Sequence, residues 1–234
     1  MNIDTIREVA WVGDQFVRAP IRGVILVFHG LGAPGLKTDL STEEIGWSEA
    51  GGLVVMPYAG PWSWMNRESR RFVDDLVEAI YRQFDLAPKT PLISTGGSMG
   101  GQCALLYTRY ARKPVTACLA SYPVCDVKYH STERPDLPRT FHHAFRGYPE
   151  DRETLFAEHS PLSQVGAMPD IPYLIVHGDA DQAVSKTQHS DRMVAAMRQR
   201  GLTVRYLEVP GMGHGGPTPL RIIEERIRFV TSFL

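Results

Sequence analysis

The chain has 234 residues, 43% of them hydrophobic and 22% charged, enough to bury one sizeable core and ordinary for a globular protein. Its 25 Lys and Arg against 26 Asp and Glu leave a formal net charge of -1, so no broad basic surface forms and nucleic acid is excluded as an expected partner. No apolar run is long enough to span a membrane, the run Val24 to Phe28 being only strand-sized, and no membrane partner is expected.

Taken in chain order, Met1 to Glu8 is charged and lacks an apolar core followed by a small-residue cleavage site, which predicts a cytoplasmic protein. Ile6 to Trp11 and Phe16 to Arg18, joined through Gly13-Asp14, predict a leading antiparallel hairpin. Short apolar runs then recur at Val24 to Phe28, Leu53 to Met56, Pro91 to Thr95, Thr116 to Ala120, Pro172 to Val176 and Val204 to Val209. Continuous rather than alternating apolarity suits strands covered on both faces. Helical stripes lie between them, at Phe72, Leu76, Ala79, Ile80 and Phe84, at Gln102 to Tyr110, at Val194 and Met197, and at Leu220, Ile223, Ile227 and Val230. Alternating strands and helices predict an α/β fold over residues 1–234, a mostly parallel central sheet flanked by helices. Residues 126–163 break that rhythm, being polar, holding four prolines and four of the eight histidines. They predict a short lid-like insertion over the sheet, partly helical around Glu150 to Glu158. Cys103, Cys118 and Cys125 make an odd count without metal-ligand spacing and read as free buried thiols.

The chemistry is carried by Gly96-Gly97-Ser98-Met99-Gly100, a G-x-S-x-G match between the run ending at Thr95 and the helical pattern from Gln102. A nucleophilic serine needs a sharp strand-to-helix turn, small neighbours two residues away, and a helix N-terminus where an oxyanion will form. It also needs a base and an orienting acid. His214, in Gly211-Met212-Gly213-His214-Gly215-Gly216 after the last strand, stands where the base belongs. Asp181, after the strand Pro172 to Val176, is the expected acid, with Asp179 holding the turn and His177 a structural hydrogen-bonder at the strand end. The oxyanion hole needs two backbone N–H groups, which Met99 and Leu31 of His29-Gly30-Leu31-Gly32 are placed to supply. His29 reads as an organiser of that loop.

Together these residues resemble the single-domain α/β-hydrolases related to the prolyl oligopeptidase family and its esterase relatives. The resemblance rests on the Ser98 motif, on H-G-x-x-D-x-x-V at His177 to Val184 and on Gly213-His214-Gly215, and it runs from about Val24 to Leu234. It implies the α/β-hydrolase fold and makes Asp181 the triad acid. The sequence lacks the family's N-terminal propeller, and its oxyanion loop is His-Gly-Leu-Gly rather than a run of glycines. Both departures count against peptidase activity, and the first also fits an esterase with an open site.

Trp62 and Trp64, in the Gly/Pro loop after the second core strand, would form a wall for an acyl or sugar group, or else pack the insertion. His142 and its neighbours in the insertion, His130, His143, Arg134, Arg139 and Arg146, would read a polar leaving group or form a solvated basic lid. His142-His143 has poor spacing for a shared metal, so no metal and no cofactor are expected. The expectation is a carboxylic-ester hydrolase acting through an acyl-serine on a small ester or short acyl or peptide substrate. A small peptidase or aminopeptidase is the alternative. It requires an acidic anchor for the peptide's amino end, for which Glu68, Glu133, Asp136 and Glu153 are available. A non-catalytic binding module is the third, disfavoured by the presence of Ser98, Asp181 and His214 together.

Overall fold

The computed structural model describes residues 2–17 and 20–234. The Asn2 side chain accepts the Thr5 N–H at 2.9 Å and opens helix α1 (Ile3–Val9), followed by strand β1 (Ala10–Val12) and a short 3-10 turn, Asp14–Phe16. The predicted leading hairpin is thus replaced by helix, strand and turn, and β1 pairs antiparallel with β3 (Gly52–Pro57) instead. The reason is local: the Asn2 cap and Asp4 in the first turn favour helix, and Ile6 is fully buried in the main core. Arg18, at the end of the predicted second arm, lies outside the described residues.

The chain continues through β2 (Gly23–Phe28), α2 (Thr42–Glu49) and β3, then α3 (Arg67–Gln83), β4 (Leu92–Gly97), α4 (Met99–Tyr110) and β5 (Ala117–Ser121). Four helices follow: α5 (Val127–Glu133), α6 (Leu137–Ala144), α7 (Arg152–His159) and α8 (Pro161–Gln164). β6 (Tyr173–Gly178), α9 (Ser190–Gln199), β7 (Val204–Val209) and α10 (Leu220–Thr231) complete it. The sheet runs β1-β3-β2-β4-β5-β6-β7, parallel throughout except for β1.

Alternate strand residues feed opposite faces, as the pleat requires. Val24, Leu26 and Phe28 join one core with residues of α3, α4 and α9, while Ile25 and Val54 join a second with Trp47 of α2 and Ile222 and Val230 of α10. Leu220, predicted to lead the buried stripe of α10, is instead 67% exposed. As the first residue of its helix it overhangs the packed turns, and Ile222 takes the buried place. Residues 126–163 hold more helix than expected. Asp151 caps α7 by accepting the Thr154 N–H at 2.9 Å, and Phe141, Phe145, Leu155 and Phe156 merge with Trp64 into the main core. The three cysteines are buried and unpaired. Among the described residues no helix is long and apolar enough to cross a membrane.

The turn from β4 into α4 brings backbones together more closely than side chains allow. A Cβ on Gly96 would lie 2.3 Å from the Gly100 carbonyl oxygen, and one on Gly100 would lie 2.0 Å from the Phe28 carbonyl oxygen. Gly100→Ala is therefore expected to cost about 3 kcal/mol, roughly 10 °C in melting temperature, because backbone cannot move aside as a side chain can. Gly35→Ala, where an added Cβ meets nothing within 4 Å, serves as the control in the same thermal melt. Equal melting temperatures for the two variants would sink the argument.

Candidate active site

Ser98 follows β4 and precedes α4 at φ 60° and ψ -125°, a left-handed conformation that costs a non-glycine residue about 1–3 kcal/mol. The surroundings hold it there. Its N–H donates to the Ser121 carbonyl at 3.0 Å, and its own carbonyl accepts from the Gln102 and Val124 amides at 3.1 and 3.3 Å. The strain lifts the hydroxyl clear of the sheet's carboxyl edge, where the loops after β2, β6 and β7 also arrive.

Two of those loops supply the partners. His214 Nε2 lies 3.0 Å from Ser98 Oγ, and His214 Nδ1 lies 2.8 Å from Asp181 Oδ2. Asp181 Oδ1 accepts the Ala183 and Val184 amides at 2.8 and 2.9 Å, and its Oδ2 also meets His177 Nε2 at 3.2 Å. Burial pushes this carboxyl up, but bonds from His177, His214 and the two amides outweigh it and hold Asp181 well below the usual carboxylate range. An ionised Asp181 must receive a proton from His214, which fixes Nδ1 as the protonated nitrogen and leaves Nε2 as an acceptor toward Ser98. His177 sits at the end of β6, fully buried, with Nδ1 2.6 Å from Ser190 Oγ and Nε2 3.1 Å from the Val184 carbonyl. Asp179 accepts the Gly211 N–H at 2.6 Å, and a Cβ on Gly178 would lie 1.9 Å from the Met212 carbonyl oxygen. The loops that carry Asp181 and His214 are therefore packed backbone against backbone.

Ser98 and His214 open on a cavity of about 400 Å³, whose walls include Leu31, Trp64, Tyr122, His130, Arg134 and Val184. Among the described residues no protein acceptor takes the N–H of Leu31 or of Met99. Met99 is the first residue of α4, so its amide adds to the positive end of that helix beside Ser98.

A family model described as the prolyl oligopeptidase family matches residues 66–234, which include Ser98, Asp181 and His214. The chain belongs to the prolyl oligopeptidase family. Its fold is the α/β-hydrolase fold. A puromycin-hydrolyzing peptidase of Mycobacterium tuberculosis is similar at 21% identity and a TM-score of 0.73, over 93% of this chain and 35% of that one. The acylaminoacyl peptidase of Pyrococcus horikoshii is similar at 14% identity and a TM-score of 0.77, over 96% and 38%. A truncated carbohydrate esterase from gut microbiota is similar at 16% identity and a TM-score of 0.70, over 96% and 95%. The chain thus spans about a third of the length of the two peptidases and nearly all of the esterase. A search of curated proteins returned no match.

In this member of the prolyl oligopeptidase family the two loop tryptophans part ways. Trp64 is fully buried, donates from Nε1 to Thr140 Oγ1 at 2.9 Å, and contributes to the Ser98 cavity wall. Trp62 packs edge-on to His143, with Arg139 over its ring, which ties the loop to the insertion. His142 lines a second cavity of about 390 Å³, with Phe141, Phe145, Phe156, Arg146 and Arg152, and does not line the one at Ser98. His29 bonds the Gly30 carbonyl at 2.9 Å and stacks near Tyr58. Tyr122 was missed by the sequence reading. Its ring meets His214 edge-on at 4.8 Å, and the only available signal was its place directly after β5.

The sequence reading also missed a buried relay. Glu133 of α5 lies 2.5 Å from His130 Nδ1 and 3.0 Å from His189 Nε2, while its other oxygen accepts the Ser185 N–H at 2.8 Å. Burial pushes the Glu133 carboxyl up, but these bonds pull it down to about 2. The three ligating atoms lie within 4.8 Å of one another, close enough for a metal ion. The hydrogen-bond inventory decides against one. His189 Nδ1 accepts the Cys125 and Asp126 amides at 3.0 and 3.1 Å, so its Nε2 carries the proton and has no lone pair to offer.

Proposed function

We propose that this protein is a serine esterase that cleaves carboxylic esters through an acyl-serine. In this reading His214 Nε2 takes the Ser98 proton as Oγ attacks the ester carbonyl. The Leu31 and Met99 amides receive the oxyanion, and Asp181 stabilises the imidazolium. His214 then protonates the departing alkoxide, and a water activated by the same imidazole releases the acid. Residues 126–163 supply one wall of the cavity through His130 and Arg134.

The observation that favours an ester over a free peptide is the charge of the cavity. An aminopeptidase must hold an ammonium group, and none of the side chains lining the Ser98 cavity is acidic. Each available acid is engaged elsewhere. Glu68 meets the Tyr148 hydroxyl, Glu153 pairs with Lys128, Asp136 pairs with Arg134, and Glu133 belongs to the buried relay. A peptidase acting on blocked amino ends stays compatible with the same walls and with the family.

Two measurements test this. A fluorophosphonate probe is expected to label the wild-type protein and not Ser98→Ala. Labelling of both alike would remove Ser98 as nucleophile. A panel of p-nitrophenyl acetate, longer acyl esters, free aminoacyl amides and acyl-blocked amides is expected to favour the esters in kcat/KM. Preference for free aminoacyl amides would overturn the esterase reading while leaving the nucleophile in place.

A further inference from the structure

The Ser98 cavity contains two imidazoles, each held by a carboxylate. His214 is held by Asp181 and His130 by Glu133. Only the first faces Ser98. The protonation of the second follows from its neighbours. His189 donates from Nε2 and Ser185 donates from its amide, so Glu133 is an anion surrounded by donors. His130 Nδ1 must then be protonated and donate to it, which leaves Nε2 with a lone pair. No protein group bonds His130 Nε2 among the described residues, and it is not one of the sealed, unpartnered atoms. His130 itself is among the residues that line the Ser98 cavity. Burial lowers the His130 pKa, with Glu133 opposing, so the ring stays neutral near pH 7.

Arg134, the extended residue that follows α5, lines the same cavity. Asp136 takes its Nε and one Nη2 hydrogen at 3.0 and 2.7 Å, and among the described residues no acceptor takes its remaining N–H groups. An acceptor and a donor on the walls of one cavity match a hydroxyl, which can give its proton to one and accept from the other. An ammonium group would meet Arg134 with no acidic side chain lining the cavity to balance it. The Trp64 and His130 rings meet edge to face with centres 5.7 Å apart, which restrains the imidazole plane.

We propose that His130 and Arg134 form a hydroxyl-binding subsite in the Ser98 cavity, so that the substrate is an ester carrying a free hydroxyl close to its scissile bond. His130 is the specificity residue and Glu133 the positioning residue behind it. The inference rests on the Ser98 esterase reading and deepens it.

The test is inactivation of Ser98 by p-nitrophenyl alkylphosphonates, each with a hydroxyl at a successive carbon, compared with the unsubstituted parents. In the wild-type protein the best-placed hydroxyl is expected to speed inactivation at least about fivefold, the worth of one hydrogen bond. In His130→Phe that ratio falls to about one, and His130→Gln, whose amide oxygen can accept near the Nε2 position, restores part of it. A wild-type ratio near one at every position, or a ratio unchanged in His130→Phe, overturns the subsite. If no reagent inactivates the wild-type protein, the Ser98 reading falls and the subsite with it. Because His130 is buried and substitution there risks the fold, imidazole nitrogen NMR on the wild-type protein gives an independent check. An unprotonated His130 Nε2 at pH 7 is expected, and a proton found there overturns the proposal.

Discussion

Replacing Ser98 by alanine is expected to lower kcat/KM on p-nitrophenyl esters by roughly 10⁴- to 10⁶-fold while leaving the fold intact. Alanine has the same Cβ as serine and inherits the same strain at φ 60°, and the His214 bond to Asp181 does not depend on the hydroxyl. The melting temperature should move by no more than about 2 °C, since only one part-buried hydrogen bond is lost. Ser98→Gly separates chemistry from strain further. It should be equally inactive yet about 1 kcal/mol more stable, since glycine occupies that conformation freely. An alanine variant retaining more than about a hundredth of wild-type activity would mean that another group performs the attack.

Asp181→Asn is expected to lose about 10⁴-fold in kcat/KM and, unlike the serine variant, stability as well. Four donors converge on the carboxylate, the amides of Ala183 and Val184 and the rings of His177 and His214. An asparagine can accept with one end only. If its oxygen keeps the two amides, its NH₂ group faces His214 Nδ1–H, and the imidazole must move its proton to Nε2, where it cannot act as a base toward Ser98. The buried mismatch should cost about 2 kcal/mol. The pH dependence has a definite sign. Asp181 is held below its unfolded value, so its stabilising contribution is fully present above about pH 4 and is lost as pH falls toward the folded value. Asparagine has no such term. The stability gap between wild type and variant should therefore be widest near neutrality and narrow in acid, as read by denaturant titrations across that range. A gap independent of pH would contradict the account of Asp181 as a hydrogen-bonded anion.

What the sequence revealed and what it hid follow from the range of the forces involved. The five inner parallel strands were legible because burial on both faces favours apolar runs, whereas the edge strand β7, with Arg205 and Glu208 in it, showed only as a short β-rich segment. The meeting of Ser98, Asp181 and His214 was foreseeable because each follows a strand and parallel strands end on one edge. The leading helix was hidden, since its short apolar pattern fits either period and the Asn2 cap decided between them. The insertion's union with the core was hidden too. Phe141, Phe145 and Phe156 lie among charged residues and gain a shared face only when three short helices turn toward Trp64. The relay of His130, Glu133 and His189 joins α5 to the start of α9 across more than fifty residues. No local period marks such a pairing: His130 reads as part of a basic lid, Glu133 as an available acidic anchor, and His189 carries no signal of its own.

The close backbone packing of Gly178 against Met212, with Asp179 holding the Gly211 amide, bears on how errors propagate through the site. Asp181 and His214 come from loops more than thirty residues apart, and independent loops would let their separation wander with each loop's own fluctuations. Coupled as they are, a displacement of one loop carries the other, so their motions are correlated and the distance between them varies less than either position. The spacing between acid and base is then set by main chain shared by the two loops rather than by either loop alone.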